Sequence, residues 1–595
     1  MASYEYFYPG KHYDLDYDSL GAPSGYQEKI SNLGITIDPR TANQLKEVQD
    51  KLNTGLKQIE VQGLMPNVFE AIPEQHLKEI NRSAKLTNAK LSLHGPLVEA
   101  SGFDERKGWS EENRAHAERQ ISQALERGHT LDPDGNIVVT FHSTSQLPEM
   151  SSKEKTDGKE QDVSMYVIDS RTGDVKMIKK EEHYFPKSKD ANGYIFEPKK
   201  ELEEYNKKYW SQAVNNFAYS SERGLRDFED VQRQKKQMEQ EIEELKAEKK
   251  ELPQEVKEKI EHRMDRDENL ANIFLQDSYN QLKMLYDIAY KSAKEKNDTD
   301  ALNKLNSFKQ EVISNYDSLA QNNTESLNKI VSKGIDVLQK IEDVEIYKPF
   351  QEFVLDESSK TFANAALNSY KKFKDKAPII SIENPPAGMG LSRADDIKKL
   401  IEKSREELSK KLQNQGRSAS EANAIAEKMI GATWDVGHIN MIRRFGYSEQ
   451  DVIKEAEKIK PYLKHVHLSD NFGFEHTELP MGMGNVPMKK IMEALGKKGE
   501  QAKKIIETGD WYQHFKTSPV QETLNAFGAS TYDRIGAQTW TQISSNYGGN
   551  YFSGYGIMLP EKHFETYGGG FSNLPSELGG QVQRKGSKFS GTPNE

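Results

Sequence analysis

The chain has 595 residues, a formal net charge of -11, 29% charged and 35% hydrophobic residues, and no cysteine. This length predicts two or three structural units; the missing thiols exclude disulfides, cysteine nucleophiles and thiolate metal sites, so any metal must be held by His, Asp and Glu. The start, MASYEYFYPG, lacks a basic segment leading an apolar stretch, and no run of about 18 apolar residues occurs, which predicts a cytoplasmic protein with no membrane partner.

In chain order, a Tyr-rich leader (1–27) gives way to short apolar runs separated by amphipathic helical patterns. The runs are LGITID (33–38), LKQIEV (56–61), AKLSLH (89–94) and NIVVTFH (136–142), then APIISIE (377–383), GATWDV (431–436), LKHVHL (463–468) and AKKIIE (502–507). Helical stretches at 110–127, 393–412 and 447–459 lie between them. Eight runs, each followed by a helix or a large insertion, predict an α/β fold, a (β/α)8 TIM barrel, in preference to a doubly wound sheet.

The spacing fails once: more than 200 residues separate the fourth and fifth runs, far beyond a normal βα loop. VSMYVIDSRTGDVKMIKK predicts a hairpin turning at Arg-Thr-Gly-Asp. Long helices follow over 199–343. Phe228, Val231, Met238, Ile242, Leu245 and Leu252 keep three-four spacing up to the break at Pro253, and Ile260, Met264 and Leu270 carry the return. This predicts an antiparallel helical arm, partly coiled coil, which packs on itself or binds a protein partner. The insertion carries most of the acidity, so the net charge does not decide for or against nucleic acid. From 529 a Gly- and aromatic-rich tail runs to 595. The divisions are then leader 1–27, barrel 28–144, insertion 145–356, barrel 357–528 and tail 529–595.

Barrel enzymes place reacting groups at the C-terminal ends of the strands, where the βα loops converge. Here the third run ends at His94, the fourth at His142, the fifth at Glu383, and the sixth at Asp435 with His438 just beyond. The seventh ends at His467 with His476 and Glu478 in its loop, and the eighth ends at Glu507. Singly each is bland: a lone His closing a strand is ordinarily a hydrogen-bonded structural residue, and Asp435 suits a helix cap. The coincidence carries the reading, because five of only 14 histidines fall at these positions. Carboxylates crowded into a barrel mouth repel unless cations sit between them. One divalent ion takes roughly four to six ligands, and Glu383, Asp435, His467 and Glu507 already suffice. The surplus, mostly imidazole, suits two to three zinc ions, with manganese as the alternative. Trp434 and Trp511 are candidates to stack on a base or sugar, and Arg443 and Arg444 to touch phosphate.

In the order LSLHGP, VVTFHS, ISIENPP, TWDVGH, HVHLSDN, HTELPMGMGN and IIETGD, these motifs resemble the endonuclease IV and xylose-isomerase-like superfamily of TIM barrels, and within it the apurinic/apyrimidinic endonuclease family 2 branch. The resemblance covers 28–144 and 357–528. It implies a trinuclear zinc cluster: His94, His142 and a bridging Glu383 for one ion; Glu383, Asp435, His467 and Glu507 for the second; His438 with His476 and Glu478 for the third. It also implies hydrolysis of a phosphodiester in abasic or damaged DNA by a metal-bridged hydroxide, with Glu383 and Glu507 as the catalytic carboxylates. Two departures stand out. The endonucleases carry Asp-x-His in the seventh loop, whereas this chain has His476-x-Glu478, and Leu97 stands where they carry an aromatic wedge. The alternatives are a sugar isomerase or epimerase with one divalent ion, and a barrel scaffold whose arm binds a partner.

Overall fold

The computed structural model describes residues 32–53, 56–156, 159–169, 171–179, 198–247, 254–509, 511 and 518–527. The leader 1–27, the helix break at Pro253 and the tail 529–595 lie outside the described residues. The described chain forms two compact units, one holding the residues through Met150 and from Gln351 onward, the other Ser151–Phe350.

The first unit is a closed barrel of eight parallel strands: β1 (Leu33–Thr36), β2 (Gln58–Gln62), β3 (Lys90–His94), β4 (Val138–His142), β5 (Ile379–Glu383), β6 (Ile430–Asp435), β7 (Leu463–Leu468) and β8 (Lys503–Ile506). They pair in sequence order around the ring and β8 closes onto β1. All eight runs read from the sequence are strands. Side chains alternate across each strand, and here the alternation sorts by polarity. Ile59, Val61, Leu91, Leu93, Val139, Phe141, Ile380, Ile382, Trp434 and Val466 are buried, and the residues between them, such as Glu60, Ser92, Thr140, Ser381, Thr433 and His465, contact one another across the barrel interior. The apolar set packs under the surrounding helices, which is where this unit's hydrophobic stabilisation lies. Gly34 makes the tight interior closure: a Cβ there would run into Ile505 and Gln58.

The intervening helices start on recognisable caps. Ser110 accepts from the Asn113 N–H to open helix Glu111–Leu131, and Ser448 and Asp451 form a reciprocal capping box before Glu449–Ile459. Helix Phe350–Phe373 precedes β5, and its fully buried Phe362 sits beside Phe141 of β4.

The second unit has its own fold. The expected hairpin is present, with Lys159–Asp169 antiparallel to Val175–Lys179 and Gly173 in the left-handed region at its turn. Strands Ser151–Thr156 and Tyr347–Pro349 extend it to a four-stranded sheet, which the sequence reading missed. Helices Pro198–Ala247 and Gln254–Lys296 run antiparallel, tied by Ser220 to Gln281 and Lys235 to Glu268. The arm is thicker than a two-helix seam, however. Helices Thr299–Ser314 and Thr324–Gln339 complete a core of Trp210, Phe217, Leu275, Leu305, Leu327 and Ile330. Phe228, Val231 and Met264 are buried as the spacing required, whereas Leu270 is 45% exposed and no seam residue.

Candidate metal centre

Parallel closure brings the C-terminal ends of all eight strands to one rim, and the register aligns the donors. Glu383 pairs with His142 and with Thr433 on its two sides, and Asp435 pairs with His467. Glu383 is the hub and is wholly buried. Its Oε2 lies 3.1 Å from His94 Nε2 and 3.4 Å from His142 Nε2. Its Oε1 faces the other way, 2.7 Å from His467 Nδ1, which is itself 2.8 Å from Glu507 Oε2. Donor atoms of Glu383, Asp435, His467 and Glu507 all lie within 4.8 Å of one another.

A third group closes over this pair. His438 Nε2 is 2.7 Å from His476 Nε2, and His476 is 3.3 Å from Glu478. These three also offer donors within 4.8 Å of one another. All nine donors read from the sequence therefore meet at one rim, with His142 6.0 Å from His438, ring centre to ring centre, linking the first group to the third.

The frame around these donors is built from hydrogen bonds. Asn384, immediately after Glu383, donates to the Asp435 carbonyl at 3.0 Å and accepts from the Asp435 N–H at 2.9 Å. The Asn384 carbonyl lies 2.8 Å from His438 Nδ1, turning that ring so that Nε2 faces His476. Asp435 accepts from the His438 N–H at 2.6 Å and from Ser469 Oγ at 3.0 Å. The loop carrying His476 and Glu478 is tied to the end of β7 by Asp470. Its buried carboxylate accepts N–H bonds from Asn471, Gly482 and Val486 at 2.9, 2.8 and 3.0 Å. A Cβ at Gly484 would collide with that carboxylate.

Burial pushes imidazoles down and carboxylates up, and contacts of opposite charge reverse this. Burial lowers His142 to about 4 and His476 to about 3. It raises Asp435 to about 6, and with Glu507 nearby it raises Glu478 to about 8. Burial acts on Glu383 too, but His467 and His142 outweigh it and hold Glu383 well below the carboxylate range. Against the same penalty, Glu383 lifts His94 to about 9. Burial thus disfavours the charged forms of Asp435 and Glu478, and a divalent cation among them would reverse that.

Orphaned atoms test whether these residues fit a metal. Glu383 Oε1, Glu507 Oε2 and both ring nitrogens of His467 are buried with no hydrogen-bond partner. Their close approaches lack hydrogen-bond alignment, yet the two carboxylate oxygens and one nitrogen of the neutral imidazole can offer lone pairs to a hard or borderline cation. Among buried groups such orphans are rare. The residues fit a divalent ion.

Other expectations are corrected by placement. Trp434 is fully buried, its side chain on the helix-facing side of β6, so it offers no face to a substrate. Trp511 is buried with Leu479, Phe472 and Met483 against it, beneath the seventh loop. The Arg443 side chain is buried and donates to the Asn485 carbonyl at 3.2 Å, while Arg444 donates to the Ala387 carbonyl; both brace rim loops. Three residues escaped the sequence reading. Glu60 and His465 lie in the interior beneath the donors, with Glu60 Oε1 3.1 Å from His467 Nε2 and Oε2 3.6 Å from His465 Nδ1. Two-residue spacing from His467 would have found His465. Asp470 had only its place in HLSDN as a signal.

Residues 380–525 match a family model described as a xylose isomerase-like TIM barrel. No curated protein matches the chain. Among solved structures, a D-tagatose 3-epimerase-like protein is 12% identical, covering 80% of this chain and 90% of its own, with a TM-score of 0.34. D-psicose 3-epimerase with D-tagatose from Clostridium cellulolyticum H10 is 10% identical, covering 88% and 98%, with a TM-score of 0.35. None of these matches singles out the endonuclease IV branch.

Proposed function

We propose that this protein is a metal-dependent phosphodiester hydrolase working with two to three divalent ions, zinc first, and that abasic or damaged DNA is its substrate. One observation carries the reading. The two oxygens of Glu383 face different donor sets, His94 with His142 on one side and His467 with Glu507 on the other, while His438, His476 and Glu478 form a further set. A single-ion sugar enzyme has no need of the first and third sets.

Bound there, divalent ions supply Lewis acidity toward phosphoryl oxygens and acidify water toward neutral pH. The protein's own part is to hold the donors and the substrate. Glu383 and Glu507 present carboxylate oxygens to the same space beside His467. Asn384 fixes Asp435 and His438 together, so that neither can turn away without breaking bonds to the other strand. The burial of Asp435 and Glu383 keeps bulk water from screening charge at the reacting phosphate.

A second reading has one observation in its favour. Glu383, Asp435, His467 and Glu507 alone form a complete four-residue set, which is enough for one ion and a sugar isomerase or epimerase. Metal content of the purified protein by elemental mass spectrometry separates the two, followed by cleavage of a duplex bearing an abasic site. Two to three zinc equivalents with cleavage are expected. One equivalent, with no cleavage and with ketose epimerisation, would transfer the assignment to the sugar enzyme.

A further inference from the structure

Glu60, on the inner face of β2, is a carboxylate with no exposure at all. Burying such a group is costly unless it is paired. Its Oε2 accepts from Ser92 Oγ at 2.9 Å and lies 3.6 Å from His465 Nδ1. Its Oε1 and His467 Nε2 lie 3.1 Å apart. Neither of these two atoms has a hydrogen-bond partner among the described residues, and at 3.1 Å a small turn of the ring would let Nε2–H donate to Oε1.

The opposite nitrogen of the same ring faces different company. His467 Nδ1 sits between Glu383 Oε1 and Glu507 Oε2. A neutral imidazole has one protonated nitrogen and one lone pair, and the group beside each nitrogen decides which is which. A proton on Nδ1 would close that nitrogen to any cation held by Glu383 and Glu507. With a cation taking the Nδ1 lone pair, the proton would be left to Nε2, where the Glu60 carboxylate stands to accept it.

We infer that Glu60 is a positioning residue for the metal centre: it holds the proton on His467 Nε2, so that the Nδ1 lone pair is turned toward Glu383 and Glu507. The inference rests on the metal-centre reading above. Ser92 and His465 anchor the carboxylate from below. Thr140 Oγ1, 3.4 Å from His465 Nδ1 and 3.0 Å from Thr433 Oγ1, continues the support across the interior to Ser381. Contacts of this kind behind a ligating histidine are worth about 10–100-fold in metal affinity.

The test uses the full-length protein stripped of metal, with zinc affinity and stoichiometry measured by chelator competition. E60L is expected to weaken zinc binding by about 10–100-fold without lowering the number of sites. E60Q keeps an oxygen that can accept from Nε2–H and is expected to lose less. In a His467→Ala background neither substitution should weaken zinc binding further, because the effect passes through that ring. A purely structural role would add its loss in both backgrounds, and that result would overturn the inference, as would wild-type affinity in E60L. Should E60L not fold, E60Q with and without His467→Ala decides by the same comparison. A wild-type protein that binds no zinc at all would instead remove the metal-centre reading, and this inference with it. A wild type that binds zinc while Glu60 proves indifferent removes only the inference.

Discussion

Asp470→Ala should release the loop that carries His476 and Glu478 while leaving the barrel folded. The Asp470 carboxylate receives three backbone N–H bonds, from Asn471 and Val486 on Oδ1 and from Gly482 on Oδ2. Bonds to a charged acceptor contribute about 1.5–3 kcal/mol each, so alanine removes roughly 5 kcal/mol of local restraint. The backbone pair between Asp470 and Leu479, at 2.7 and 2.8 Å, survives and limits how far the loop opens. Asp470→Asn separates the contributions: its remaining oxygen can serve Asn471 and Val486, and only the Gly482 bond is lost, at about 2 kcal/mol. Since about 1.4 kcal/mol is a factor of ten, hydrogen exchange of the Gly482 amide should quicken about thirtyfold in the asparagine variant. It should quicken about a thousandfold or more in the alanine variant. Mass spectrometry of peptides spanning 470–487 reads this directly, and under the proposed function any metal bound through His438, His476 and Glu478 should be lost in parallel. Exchange within about threefold of wild type in Asp470→Ala would refute the reasoning, because the loop would then be held by something other than this carboxylate.

His142→Ala takes one imidazole from the Oε2 side of Glu383. The side chain is 16% exposed, so the fold should persist with a melting temperature near wild type, while the proposed phosphodiesterase activity falls more than about a hundredfold and the bound metal per chain drops; retained cleavage would break the proposal. Asp396 gives a pH test away from the rim: burial raises its carboxyl from 3.8 to about 6. An acid whose folded pKa exceeds its unfolded value stabilises the fold fully at low pH, and that stability drains as pH rises through the folded value. Across pH 4 to 6 this amounts to about 3 kcal/mol at about 1.36 kcal/mol per unit. Urea melts at pH 4.5 and pH 7 should therefore differ less in Asp396→Asn than in wild type, and equal differences would contradict the assignment.

The barrel was legible because its strands are short apolar runs separated by helical patterns, and because six of the eight end on or next to a His, Asp or Glu. His94, His142, Glu383, Asp435, His467 and Glu507 could be placed by counting to the end of each run. His476 and Glu478 needed the motif around them, since no periodicity governs a loop. The helical unit was harder. Three-four spacing says that a helix buries one face but not against how many neighbours, so Phe228 and Val231 fitted a two-helix arm as well as the bundle they belong to. Leu270 satisfied the spacing and still faces solvent. Trp434 and Arg443 misled for a related reason: both lie near the donors in sequence, but Trp434 is buried on the helix-facing side of β6 and Arg443 is buried against the Asn485 carbonyl. Glu60 stayed hidden because a single Glu inside LKQIEV reads as the polar side of a half-exposed strand, and only barrel closure shows that this side is interior.

The polar interior has a consequence for how the rim is held. In a barrel filled with branched apolar side chains, the donors above would rest on packing that tolerates rotation. Here the layer beneath them is Glu60, Ser92, Thr140, Ser381, Thr433 and His465, joined by hydrogen bonds of fixed direction and by the close approach of Glu60 to His465. Directional contacts in a low-dielectric interior restrict ring and carboxylate orientation more tightly than dispersion does. Stability is then carried by the outer shell, where Ile380, Ile382, Phe141, Trp434 and Phe362 are buried, and the interior is left free to hold unpaired donors. Such a division is what a site for cations demands: the orphaned oxygens of Glu383 and Glu507 are tolerable because the apolar layer outside them stabilises the fold independently, and they stay aimed because the polar layer below them does not yield.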